Sequence, residues 1–227
     1  MKLEQVLEKM AFQHTPLKLV PQQTALVLID MQKLALSDYL VHEAVTQYGV
    51  PEAEAREAFE EFDRRFDVAI KNAASILKAC RAKGIRPIHI KIESLSGDAS
   101  DTGLLHKEIG FLVPPGSEWG DFIPDVKPLP GEIVMTKTCS SAFTGTMLNQ
   151  VLRNLGIKEV IIVGFYTDQC VTTAARESAD LGYDTMVVED ATMAVLLDGH
   201  LNEIKAIKNV YVRGGTTKEL LNRISTL

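Results

Sequence analysis

Apolar residues along this chain fall into short, mostly unbroken runs separated by stretches of helical periodicity. Thr24–Asp30 (TALVLID), Arg86–Lys91 (RPIHIK), Glu132–Thr136 (EIVMT), Glu159–Gly164 (EVIIVG), Asp184–Glu189 (DTMVVE) and Asn209–Val212 (NVYV) are strand-length and rich in Val and Ile. Most are apolar at successive positions, the pattern of strands covered by helices on both faces. Between them, Pro51–Lys83 predicts a long helix, opened by Pro51 with the acidic Glu52 and Glu54 and closed by Gly84. Along it Phe59, Phe62, Phe66, Ile70, Ala73, Ile76, Leu77 and Cys80 recur at three- and four-residue steps. Further helices are predicted over Ala142–Leu155, Gln169–Leu181, Leu197–Ile207 and Thr217–Ile224. Strand, helix and glycine repeat in that order, so the reading is α/β, a parallel doubly wound sheet within one domain spanning residues 1–227.

Two stretches depart from the alternation. Met31–Val50 reads as a loop with a short helix. Glu93–Pro130 is long and rich in proline and glycine, and a connection of that length is either a functional loop or a surface excursion covering a sheet edge. The phenylalanine stripe of the long helix packs on its own sheet in one reading. In the other it forms an arm against a second subunit; an exposed stripe is costly in a monomer, which predicts a homo-oligomer.

Composition narrows the classes. The 227 residues are 46% hydrophobic and carry a net charge of −6, which suits a globular chain and argues against nucleic acid or an anionic membrane as partner. The longest apolar run, near Val160–Tyr166, is too short to span a membrane. Charged residues in MKLEQVLEKM stand where a secretory signal needs its apolar centre, so the expected setting is the cytoplasm. The three cysteines, Cys80, Cys139 and Cys170, are few and widely separated, which fits a reducing compartment better than a disulfide framework.

Ligands of an open parallel sheet bind beyond the carboxyl ends of its strands. There the first strand ends at Asp30, the third runs into Lys137, and the fourth continues as Gly164-Phe-Tyr-Thr-Asp-Gln-Cys170. Cys170 falls where a strand turns into a helix capped by Thr167 or Asp168, a position expected to lower a thiol pKa. Taken singly, Cys170 is equally a small core residue, Asp30 a cap or ion-pair partner, and Lys137 a solvated lysine. Together they form a device: Asp30 accepts the thiol proton, Lys137 stabilises charge, and Cys170 attacks an electrophilic carbon.

The segments TALVLIDMQ (24–32), MTKTCSSAFTGT (135–146) and VGFYTDQCVTTAARESADLGYDTMVVEDA (163–191) resemble the isochorismatase-like cysteine hydrolases, from Thr24 nearly to the end. That resemblance implies a six-stranded parallel sheet in a three-layer α/β/α, Rossmann-like arrangement. It also implies an Asp30–Lys137–Cys170 triad and a cis peptide at Phe165–Tyr166, with the N–H groups of Tyr166 and Cys170 forming an oxyanion hole. The amidase members keep the cysteine, so the presence of Cys170 tilts the implied activity toward C–N hydrolysis of a small amide, ureido or carbamoyl substrate through a thioester-like intermediate. Alternatives are an ether or ester hydrolase of the isochorismatase type, in which Cys170 is dispensable, and a non-catalytic oligomeric binding protein with a redox-sensitive thiol.

Departures from the family pattern limit what carries over. After Asp30 the chain reads Met-Gln-Lys-Leu-Ala, so only Gln32 matches the common pattern there. The acid-x-His pair of metal-binding members is missing, and the five histidines (His14, His42, His89, His106, His200) are scattered, so no metal and no cofactor is expected. His89 reads as a core residue in a strand and the others as solvated. Candidate substrate contacts are Gln32, Phe143, Tyr166 and Trp119. Cys139 reads as a packing residue near the site, and Cys80 as core.

Overall fold

A computed structural model describes residues 2–10, 14–208 and 210–227. Six parallel strands form one sheet in the order β3-β2-β1-β4-β5-β6, with β1 Thr24–Ile29, β2 Arg86–Ile92, β3 Ile133–Lys137, β4 Glu159–Phe165, β5 Asp184–Met193 and β6 Arg213–Gly215. Every residue of β1 and β4 is buried, as their unbroken apolar runs require at the centre of a sheet covered on both faces. The helices are α1 Leu3–Met10, α2 Ser37–Tyr48, α3 Glu52–Lys83, α4 Leu104–Glu108, α5 Leu148–Asn154, α6 Thr172–Asp180, α7 Leu197–Ile207 and α8 Thr217–Ser225. Helix α3 packs with α8 and α2 on one side of the sheet, while α6 and α7 pack together on the other. Among the described residues no helix is long and apolar enough to cross a membrane.

The long helix ends as its sequence predicts, at Gly84 in a left-handed conformation (φ 73°) whose N–H caps the carbonyls of Cys80 and Arg81. Its phenylalanines do not form an exposed arm. Phe62 and Phe66 are buried, Phe59 is partly so, and Phe66 stacks on Phe165 with ring centroids 4.7 Å apart. The stripe is spent inside this chain, so the exposure argument for a homo-oligomer loses its basis.

Three elements differ from the sequence reading. The sixth strand is Arg213–Gly215 rather than Asn209–Val212, of which Asn209 lies outside the described residues and Val212 makes only an isolated bridge to Lys208. Glycines are poor strand formers, yet a Cβ on Gly214 would lie 2.3 Å from Glu189 Oε1 and 2.7 Å from Lys208 Cδ, so the bare backbone leaves room for that Glu189–Lys208 ion pair as it stands. Helix α5 begins at Leu148, not Ala142. Upstream, the Ser141 hydroxyl accepts the N–H groups of Phe143 and Thr144, and Thr146 accepts that of Leu148, holding 141–147 in turns. Finally, Thr167–Val171 forms a π-helical turn before α6. Thr167 and Asp168 do not cap it: the Thr167 hydroxyl is buried against Thr192 (2.9 Å) and His200 Nδ1 (2.8 Å).

Candidate active site

Strand β1 stops where Asp30 takes φ 50°, a left-handed backbone that Asp tolerates better than most residues. Lys137 is the last residue of β3, and Cys170 sits in the π-turn after β4, so three strands deliver their carboxyl ends to one place. Lys137 Nζ lies 2.9 Å from Asp30 Oδ2, 3.2 Å from Cys170 Sγ and 3.0 Å from the Cys139 carbonyl. The Asp30 contact is an ion pair off the hydrogen-bond axis: neither carboxylate oxygen has an aligned donor among the described residues. All three side chains are buried. The Phe165–Tyr166 peptide is cis.

Burial dominates the electrostatics. It pushes the Asp30 carboxyl above its usual range, with Lys137 pulling the other way. For Lys137, burial works against the charge, but Asp30 and Cys170 together raise the ammonium above its ordinary value. The Cys170 thiol is pushed up to about 12, first by burial and then by the Asp30 charge. This corrects the sequence expectation of a lowered thiol pKa, since desolvation and a neighbouring anion outweigh Lys137. The resting thiol is protonated, and a carboxylate with raised proton affinity stands beside it to take the proton.

Asp30 and Cys170 open into a cavity of about 200 Å³, walled chiefly by Leu34, Tyr39, Ile92, Phe111, Phe165 and Tyr166. Residues 24–219 match the isochorismatase domain. The chain belongs to the isochorismatase family.

Relatives of this isochorismatase-family protein include the ureidoacrylate amidohydrolase RutB of Pantoea ananatis, 30% identical over 76% of this chain and 70% of that one. An isochorismatase family protein of Bacillus subtilis, YrdC, is 36% identical over 56% of this chain and 61% of its own length. The chain thus spans about three-fifths of the first curated relatives it matches, 61% and 57%. Among solved structures, a cysteine hydrolase from Pseudomonas syringae pv. phaseolicola superposes with TM-score 0.76 at 20% identity, covering 95% of this chain and 97% of the other. The likeness shows the fold, the six-stranded α/β/α architecture expected from the resemblance.

Of the substrate contacts expected from sequence, only Tyr166 lines the cavity, with its hydroxyl donating to the Ala35 carbonyl at 2.9 Å. Gln32 is wholly buried and its amide is committed: Nε2 donates to the carbonyls of Ile92 (3.0 Å) and Gly120 (2.9 Å), and Oε1 accepts from Ile92 N–H at 2.8 Å. Phe143 stacks on Tyr183 at 6.2 Å, away from the cavity lining. Trp119 packs on Tyr39 and His42 and walls a separate, larger cleft of about 550 Å³ with Lys33 and Arg56. That cleft contains none of Asp30, Lys137 and Cys170.

His106 was legible only as a solvated residue, yet it is buried on α4, lines the cavity, and sets its ring edge-on to Phe111 at 5.2 Å. Its Nδ1 is buried without a hydrogen-bond partner among the described residues. Burial and then the Lys137 charge lower its pKa, keeping the imidazole neutral. A five-residue helix in a loop gives no periodicity from which this could be read. His89 is in the core as expected, 3.1 Å from Glu132. Cys80 is wholly buried, and Cys139 packs its Sγ against the Thr144 carbonyl at 3.3 Å.

Proposed function

We propose that this isochorismatase-family hydrolase is a cysteine amidohydrolase cleaving the C–N bond of a small amide, ureido or carbamoyl substrate. The observation that carries the reading is the placement of one buried ammonium between a carboxylate and a thiol, 2.9 Å and 3.2 Å away. The name of the RutB relative, an amidohydrolase, supports the same bond class.

Asp30 takes the thiol proton as Sγ attacks the substrate carbonyl carbon, forming the C–S bond and placing negative charge on the carbonyl oxygen. The N–H groups of Tyr166 and Cys170 receive that oxygen. Collapse breaks the C–N bond, and the departing nitrogen takes the proton from Asp30. Water then attacks the thioester, giving its proton to Asp30, and the acid product leaves as the thiol is restored. Lys137 keeps a positive charge beside both groups whichever holds the proton.

Ammonia release from a panel of amides, ureides and carbamoyl acids tests this, with Cys170→Ala as control. Turnover abolished by that substitution is the expected result. Hydrolysis that survives it favours the ether or ester hydrolase, and no turnover of any substrate favours a binding protein.

A further inference from the structure

Building on the amidohydrolase reading, we infer that the site takes uncharged amides with a small apolar acyl group and rejects those bearing a carboxylate. Around Asp30 and Cys170 the cavity is walled by Leu34, Leu40, Ile92, Phe111, Phe165 and Val195, and none of its described lining residues is Lys or Arg. Apart from the Asp30 carboxylate, the polar groups present are neutral. The Tyr39 phenol is pushed up to about 12 by burial, Tyr166 spends its proton on the Ala35 carbonyl, and burial keeps His106 uncharged.

Two cations stand behind the lining, and neither is free: Arg65 donates to the carbonyls of Ala194 and Val195, and Lys137 is engaged beside Asp30 and Cys170. The Lys137 Nζ is wholly buried and already contacts Asp30, Cys170 and the Cys139 carbonyl. A substrate carboxylate would leave water, gain no counter-ion, and meet the Asp30 charge across a cavity with little polar surface. An apolar acyl group gains from the same walls. About 200 Å³ is room for roughly seven waters at ~30 Å³ each, which suits acyl groups the size of isobutyryl or benzoyl. Neutral donors on Tyr39 and His106 suffice for one polar atom of such a substrate.

The test compares isobutyramide with succinamate and benzamide with 4-carbamoylbenzoate, by ammonia release on the wild type and by ligand-observed NMR on Cys170→Ala. Expected is a kcat/KM at least ~100-fold higher for each neutral amide, with the same preference in binding to Cys170→Ala. Ile109 lines the cavity and is 59% exposed, so Ile109→Arg brings in a hydrated cation and should narrow the ratio at least ~10-fold. Carboxylated amides turned over or bound as well as neutral ones would overturn the inference and leave the amidohydrolase reading standing. Preference for neutral ligands by Cys170→Ala, with no ammonia from any wild-type reaction, would uphold the cavity assignment and overturn the chemistry instead. Binding of neither class would overturn the inference.

Discussion

Lys137 and Asp30 face each other at 2.9 Å, with side chains 0% and 3% exposed, at the ends of two strands that are not neighbours in the sheet. Removing one member leaves the other charge buried alone. Lys137→Met should therefore cost about 3–5 kcal/mol of stability as well as activity. The double variant Asp30→Asn/Lys137→Met should recover much of that stability with no activity. Urea denaturation of the single and double variants checks this, and additive losses would rule out the coupling.

Asp30 raises the Cys170 thiol while Lys137 lowers it, so Asp30→Asn has opposite effects on reactivity and turnover. Without the carboxylate, the thiol becomes more acidic beside an unneutralised ammonium. Alkylation of Cys170 by iodoacetamide at pH 8 should then rise ~10-fold or more. Ammonia release should fall at least ~100-fold, because the base is gone. Mass spectrometry of the alkylated peptides reads the first effect and distinguishes Cys170 from Cys139.

Glu132 gives the fold a pH dependence separate from the site. Burial works to raise its carboxyl, but Arg81 donates to both oxygens, at 2.8 Å and 2.7 Å, and Leu129 N–H and His89 join them, so it is held at about 2. Its folded pKa lies below the unfolded value of 4.5, so its stabilisation is present above 4.5 and is lost as pH falls toward 2. Glu132→Gln should lose about 1–3 kcal/mol at pH 7. Its urea midpoint should also vary less than wild type between pH 5 and pH 2.

Gly164 has φ 121°, and a Cβ there would lie 2.0 Å from the Ile29 carbonyl oxygen on the neighbouring strand. Gly164→Ala forces β1 and β4 apart just below Asp30. A loss of about 3 kcal/mol is expected, read from thermal unfolding, with ammonia release falling further than the fraction folded.

The strands nearest the site were the most readable, because a central parallel strand must be apolar on both faces and TALVLI and EVIIVG have no other easy use. Their ends then exposed Asp30 and Cys170 to the argument from sheet topology. What stayed hidden depends on three-dimensional neighbours. Periodicity put Phe62 and Phe66 on one face, but nothing along the chain says that Phe165 waits there. Gln32 reads as available because it matches the family pattern after Asp30, whereas the backbone of Ile92 and Gly120 engages it. The direction of the Cys170 shift was misread for a similar reason: a helix terminus is visible in sequence, while the depth of its burial is not.

That engagement of Gln32 also explains how β1 can end so abruptly. Asp30 N–H still bonds the Ile90 carbonyl, but the main chain then turns away and cannot reach Ile92. The Gln32 amide offers Ile92 the acceptor and the donor that the Asp30 carbonyl and the Gln32 N–H would have supplied had the parallel ladder run on; those two backbone groups bond each other instead, at 2.8 Å. A side chain thus stands in for a missing peptide, closing the ladder while the real backbone leaves to aim a carboxylate at the thiol. At this position glutamine is a splice in the sheet, and the freedom of Asp30 to point elsewhere is what the splice makes possible.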